Sequence, residues 1–343
     1  MPSAQTTAQY EGLPPFPTPE KSSETEASVW PDILIVVVGA ALILGPLFSG
    51  MFLRAAQGEA MIASFAPYMT DTSVDGYRDN FTVLDAARTN IVAVQQNGEA
   101  PGTYTYIDNF VRDYPLIDAD MSRMIDAIDA NRSNYADLTQ IPPFGLLPWL
   151  LALSGFVLAI VGAIGIRRSR SGRRTRVPRV LAGLVGLALI AMPFGFGLFA
   201  NAPAGKPLLD GFRPILTTDE VRKVQGYFVT LVAAQGELDS RFTGAVRQAH
   251  PDADLRAIDS LGEQWQPMTS SFAALVGTMN DNVENFDAVV ALNESTKPLG
   301  FEAFSRLGWF FLLPGVGVVA TTIFHPVRNA RRARSQTQGG GSR

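Results

Sequence analysis

Four stretches, 33–53, 144–166, 180–200 and 307–324, are almost wholly apolar, and no other feature of the chain restricts its fold as strongly. The first three hold no charged residue and run 21, 23 and 21 positions. An α-helix rising about 1.5 Å per residue needs about 20 residues to cross a hydrocarbon core about 30 Å thick. The fourth is shorter, at 18, but has Trp309 near its start and basic residues beyond its end. All four read as transmembrane helices. A cleaved signal peptide fits the first run poorly, because the preceding segment carries Glu11, Glu20, Glu24 and Glu26 against a single Lys21.

Arginines set the expected orientation. Between the second and third runs lies "RRSRSGRRTRVPR", residues 167–179, with seven Arg in thirteen positions. Arg328, Arg331, Arg332 and Arg334 follow the fourth run. Short segments rich in Lys and Arg stay cytoplasmic. The long segments 54–143 and 201–305 carry 13 and 14 acidic residues against 6 and 8 basic ones, so they belong outside. An even number of spans then places both termini in the cytoplasm. The arginine loop has no aromatic residue to stack on bases and is tethered at both ends, so it reads as a topogenic loop touching anionic lipid rather than nucleic acid. Arg outnumbers Lys 24 to 4, a bias that points to a GC-rich bacterial genome.

The chain also repeats itself. A shift of 147 positions superimposes Gly39, Pro46, Gly50 and Phe52 on Gly186, Pro193, Gly197 and Phe199. It continues through Phe65, Pro67, Thr70, Phe81 and Leu84, which meet Phe212, Pro214, Thr217, Phe228 and Leu231. After small insertions Asn131 and Asn134 meet Asn282 and Asn285, and Trp149 meets Trp309. Each unit runs span, external segment, span, which predicts a tandem duplication of parallel repeats about an axis along the membrane normal.

Within each external segment, apolar positions recur every three or four residues, the mark of an amphipathic helix. Val74, Tyr77, Phe81, Leu84, Ile91 and Val94 define one, stopped by Asn97-Gly98; Val221, Val224, Phe228, Leu231, Leu238, Phe242 and Val246 define its counterpart. Thr217 and Glu220 fit a capping box. Returning helices follow from about Ile117 and Trp265. Two such hairpins bury their apolar stripes as a four-helix bundle. Phe81 and Phe228 are expected to be equivalent core positions, and Asn131 and Asn282 to hydrogen-bond across the bundle. "GEAMIASFAPYM" and "GKPLLDGFRPIL" precede the long helices, and their Phe-x-Pro cores read as amphipathic elbows at the headgroup level.

The predicted fold is therefore an all-α integral membrane protein. Residues 1–29 form a disordered cytoplasmic tail rich in Pro, Ser, Thr and Glu, and its "LPPFPTP" suits a linker. Repeat 1 spans 30–166, with its ectodomain at 54–143; repeat 2 spans 180–325, with its ectodomain at 201–305. Residues 326–343 form a basic tail.

Chemistry is scarce. The chain contains no Cys and two His, His250 and His325, which removes thiol nucleophiles and His-rich zinc sites within one chain. It has no P-loop and no Gly-x-Ser-x-Gly. Asp118/Asp120 and Asp252/Asp254 resemble calcium ligands but lack a Gly-turned loop, and are expected just before the returning helices, where the helix dipole favours carboxylates. No charge lies inside a span beyond the flanking Asp32, Arg306 and His325, which argues against an ion-driven carrier. Gly155/Ala159, Gly162/Gly165 and Gly183/Gly186 are expected to pack the chain's own spans together.

These observations lead to a non-enzymatic envelope protein of the bacterial plasma membrane, without metal or cofactor, whose helical ectodomain docks or stabilises a larger membrane assembly. The alternatives are a lipid or hydrophobic-ligand binder working at the seam between repeats, and a receptor-like sensor. Expected partners are membrane lipids and other envelope membrane proteins, not nucleic acid; homo-oligomerisation is left open. Phe65, Pro67, Phe212 and Pro214 are the expected partner or lipid contacts.

Overall fold

A computed structural model describes residues 29–171 and 176–338, with side chains as far as Ile323. The Pro-rich tail, Arg173 and Arg174 of the arginine loop, and the last five residues lie outside the described residues, as do the side chains of His325, Arg328, Arg331, Arg332 and Arg334. The chain runs through α1 (Trp30–Phe48), α2 (Met51–Phe65), α3 (Asp71–Gln96), α4 (Thr105–Ala130), α5 (Arg132–Thr139) and α6 (Leu146–Arg170). It continues with α7 (Arg176–Gly195), α8 (Leu198–Asn201), α9 (Gly205–Phe212), α10 (Thr218–Glu237), α11 (Thr243–Ala249), α12 (Arg256–Glu294) and α13 (Trp309–Gln338). Among the described residues there is no strand.

Four helical segments are long and apolar enough to cross a membrane: Trp30–Phe48, Leu146–Arg170, Arg176–Gly195 and Phe304–Ile323. Two end earlier than the apolar runs that encode them. Gly50 and Gly197 adopt φ of +66° and +64°, a left-handed turn that favours a residue without Cβ. Residues 51–53 and 198–200, expected inside spans, instead open α2 and α8.

Among these helices α1 packs on α6 and α7 on α13, with contacts between α6 and α7 and between α1 and α13 closing the group. Glycine lets the backbones meet. A Cβ on Gly39 would stand 2.6 Å from the Gly155 carbonyl oxygen, and one on Gly155 would stand 2.5 Å from that of Gly39. Gly186 and Gly315 repeat this meeting less tightly, at 3.1 and 2.8 Å. Gly162 and Gly165 receive Val36 and Asp32. Asp32 is not a flanking residue at all: it is 1% exposed in the first turn of α1, with Oδ2 3.6 Å from Nη2 of Arg179 on α7. Removing one member of such a buried pair costs about 3–5 kcal/mol, because the other charge is left desolvated.

Outside this group α3, α4, α10 and α12 pack around one core, α3 touching α4 and α12, and α10 touching the same two helices. The stripes read from sequence supply that core: Val74, Phe81, Leu84 and Ile91 of α3 and Phe272, Leu275 and Met279 of α12 are buried. Phe81 meets Phe272 edge-on at 5.5 Å, whereas Phe228 is only half-buried. Thr70 and Thr217 cap α3 and α10 by accepting from the backbone N–H of Ser73 and Glu220. Only half of the expected capping box forms, since the Glu220 carboxylate pairs with Lys223 at 2.7 Å.

The returning helix α4 begins about twelve residues before the expected start near Ile117. Its first turn is held from elsewhere: Oε2 of buried Glu237 accepts from the N–H of Tyr106 and Ile107, so the local sequence carries no cap of its own. Asp118 and Asp120 consequently sit within α4, while Asp252 and Asp254 do precede α12. Asn131 and Asn282 are buried, but each donates to a carbonyl of its own helix, Ala127 at 2.9 Å and Thr278 at 2.8 Å, not across the bundle. The chain breaks at Asn131 between α4 and α5, whereas α12 runs unbroken through Asn282 for 39 residues.

Candidate functional site

The rings of the two Phe-x-Pro elbows meet. Phe65 closes α2 and Phe212 closes α9, their centroids are 6.1 Å apart with planes at 67°, and they are 6% and 7% exposed. Edge-to-face pairs of this kind add about 0.5–1.5 kcal/mol beyond their burial. Pro67 and Pro214 remain on the surface. With Met61, Ile62, Leu208 and Leu209 the two rings border a recess of about 30 Å³, room for about one water.

Those four aliphatic residues also line a far larger cavity, about 570 Å³, between the candidate spans and the helical body. Its walls come from the body-proximal half of α1 (Val38, Leu42, Gly45), from α2 (Ala55, Gly58), from the start of α6 (Leu147, Leu151) and from α9, the end of α12 and the start of α13 (Leu208, Val289, Phe310, Leu313). The cavity is open on one side rather than sealed. A Cβ on Gly45 would find nothing within 4 Å, whereas one on Gly58 would lie 3.0 Å from Val289.

The two sides of the molecule differ here. Where α5 turns after the break at Asn131, it packs against α8 and α9 and fills the space. On the opposite side unbroken α12 packs along α2 itself, with Val289 3.0 Å from where a Cβ on Gly58 would stand. Tyr135 of α5 donates to the Ile62 carbonyl at 2.7 Å, and burial raises the pKa of its phenol.

Polar groups on the cavity wall face their own backbone. The hydroxyls of Ser49, Ser295 and Thr296 donate to the carbonyls of Pro46, Leu292 and Phe301. The wall therefore offers hydrocarbon and no hydroxyl donor. Beside the indole N–H of Trp309, the lining has Arg54 in the first turn of α2: one N–H donates to the Ser49 carbonyl at 3.0 Å, and four of the five guanidinium N–H groups are left over.

Two of the remaining candidates, Asp120 and Asp254, are occupied by protein partners. Asp120 accepts from the Tyr227 hydroxyl at 2.6 Å and pairs with Lys223 and Arg123; the Tyr227 hydrogen bond foremost, then those cations, hold its pKa down to about 2. Hydrogen bonds from Arg256 hold Asp254 at about 2 as well. His250 is exposed at the end of α11. No group of three or more His, Cys, Asp or Glu among the described residues is placed to hold a metal.

Sequence reasoning found the elbows but missed the cavity and Arg54. Its lining is drawn from seven helices and no local pattern marks it; the nearest signal was Gly45-Pro46, read only as part of the repeat. No family model, curated protein or solved structure matches the chain.

Proposed function

We propose that the protein is a non-enzymatic, multi-pass protein of the bacterial plasma membrane that seats the hydrocarbon part of a lipid at the seam between two parallel repeats. The observation that carries this reading is the cavity of about 570 Å³ with its apolar wall. So apolar a space offers water no partners, whereas an acyl chain enters it from the bilayer without leaving hydrocarbon.

The duplication is supported by matched geometry 147 positions apart: the left-handed glycines at 50 and 197, the threonine caps at 70 and 217, and the glycine crossings at 39 and 186. We place the helical body outside and the arginine-rich ends of α6 and α7 in the cytoplasm. The cavity then lies at the level of the outer leaflet.

Gly45→Phe tests the seat, since a side chain there enters open space. Wild-type protein purified in mild detergent is expected to retain a phospholipid by native mass spectrometry. The variant should lose it with unchanged helicity. A wild type that carries no lipid sinks this reading and leaves the second one, docking of another envelope protein. That reading is favoured by Val229 and Val232, 66% and 43% exposed one turn apart on α10.

A further inference from the structure

The cavity wall tells more than that its occupant is apolar. Around it Lys206 pairs with Asp210 and Glu302, Arg213 and Lys297 pair with Glu294, and Arg306 lies over the Phe301 ring outside the lining. Arg54 lines the cavity itself, and among the described residues no carboxylate pairs with it. It follows the left-handed turn at Gly50, which ends the candidate span α1, and the lining continues beyond it through Ala55, Gly58 and Met61 of α2. The half-buried side chain folds back over Gly50, with Nε 3.5 Å from where a Cβ would stand there. Position 201, its counterpart under the 147-residue shift, is Asn, so only one side of the molecule carries the charge.

Resting on the lipid-seat reading above, we propose that the occupant is an anionic phospholipid, with an acyl chain in the cavity and its phosphate on Arg54. A guanidinium presents parallel N–H groups that match two phosphate oxygens, and it holds its charge at every physiological pH. Arg54 is the one charged residue of the lining among the described residues, so it is the ionic anchor for the headgroup. Net negative lipids gain over zwitterionic ones because the latter bring a cation close to Arg54. A basic side chain at a membrane surface is worth about 1 kcal/mol toward an anionic lipid, which corresponds to about a fivefold preference.

The test uses the full chain in micelles doped with equal amounts of phosphatidylglycerol and phosphatidylcholine bearing identical tails, read by native mass spectrometry. Wild type is expected to retain phosphatidylglycerol about fivefold over phosphatidylcholine. Arg54→Gln should still carry a lipid but with the preference abolished, and Arg54→Lys should keep most of it. Equal retention of the two lipids by wild type, or a preference that survives Arg54→Gln, overturns the headgroup assignment while leaving the lipid seat standing. A wild type that retains neither lipid overturns both. Should Arg54→Gln fail to fold, the Arg54→Lys protein and the wild-type ratio still decide the matter.

Discussion

At the scale of single residues, glycine lets α1 meet α6, and α7 meet α13, backbone to backbone. A methyl group at Gly39 meets backbone at 2.6 and 2.8 Å, whereas at Gly186 its nearest neighbours are at 3.0 Å or beyond. Gly39→Ala is therefore expected to lower the melting temperature in detergent clearly, by the equivalent of about 1–3 kcal/mol. Gly186→Ala should cost less, because the Val319 side chain can give way; equal losses would mean that the two crossings are equally tight. Asp120 offers a second residue-scale test. Its folded-state pKa of about 2 lies below the ordinary carboxylate value, so its stabilisation is fully present above about pH 4 and is lost as pH falls through about 2. Tyr227→Phe removes the largest cause, should cost about 1.5–3 kcal/mol at neutral pH, and should move acid unfolding to higher pH. An unchanged acid midpoint would show that Lys223 and Arg123 suffice. The packing role of Gly155 and Gly186 was legible in the sequence, whereas that of Asp120 was not: Asp120 reads as one of a pair before a helix, because α4 borrows its cap from Glu237, which lies 130 positions away in sequence.

Elements were more legible than their ends. The 3.6-residue periodicity located α3 and α10, and Asn97-Gly98 marked the stop of α3, with Gly98 at φ +74°. Helix ends depend on single turns and distant partners, so α1, α7 and the start of α4 were displaced. The matched stripes also concealed a difference in depth. Phe81 is packed against Phe272, while Phe228 on α10 is half-exposed. Phe81→Ala should thus cost about 3–5 kcal/mol and Phe228→Ala distinctly less, as measured by thermal unfolding in detergent. Equal losses would restore the equivalence of α3 and α10 that the sequence alignment implies. The break between α4 and α5 is the other departure: α5 turns onto α8 and α9, while α12 continues unbroken along α2.

For the whole molecule, the four apolar runs and the arginine asymmetry carry the architecture, and the orientation is directly testable because the chain has no native cysteine. Single cysteines at Gly98 and Asp252 are expected to react with an impermeant thiol reagent in intact cells, and one at Ser171 is not. Labelling at Ser171 would reverse the topology. The cavity was invisible at this scale for a simple reason: seven separate helices each contribute one or a few residues, most of them ordinary aliphatics, and only their assembly creates a space. That space has a consequence at the bench. Detergents are themselves chains with polar heads, and any that enters will bind the folded form alone, shifting the unfolding equilibrium by mass action. Apparent melting temperature should then track the tail length and concentration of the detergent, so that a stability measured in one micelle is not transferable to another.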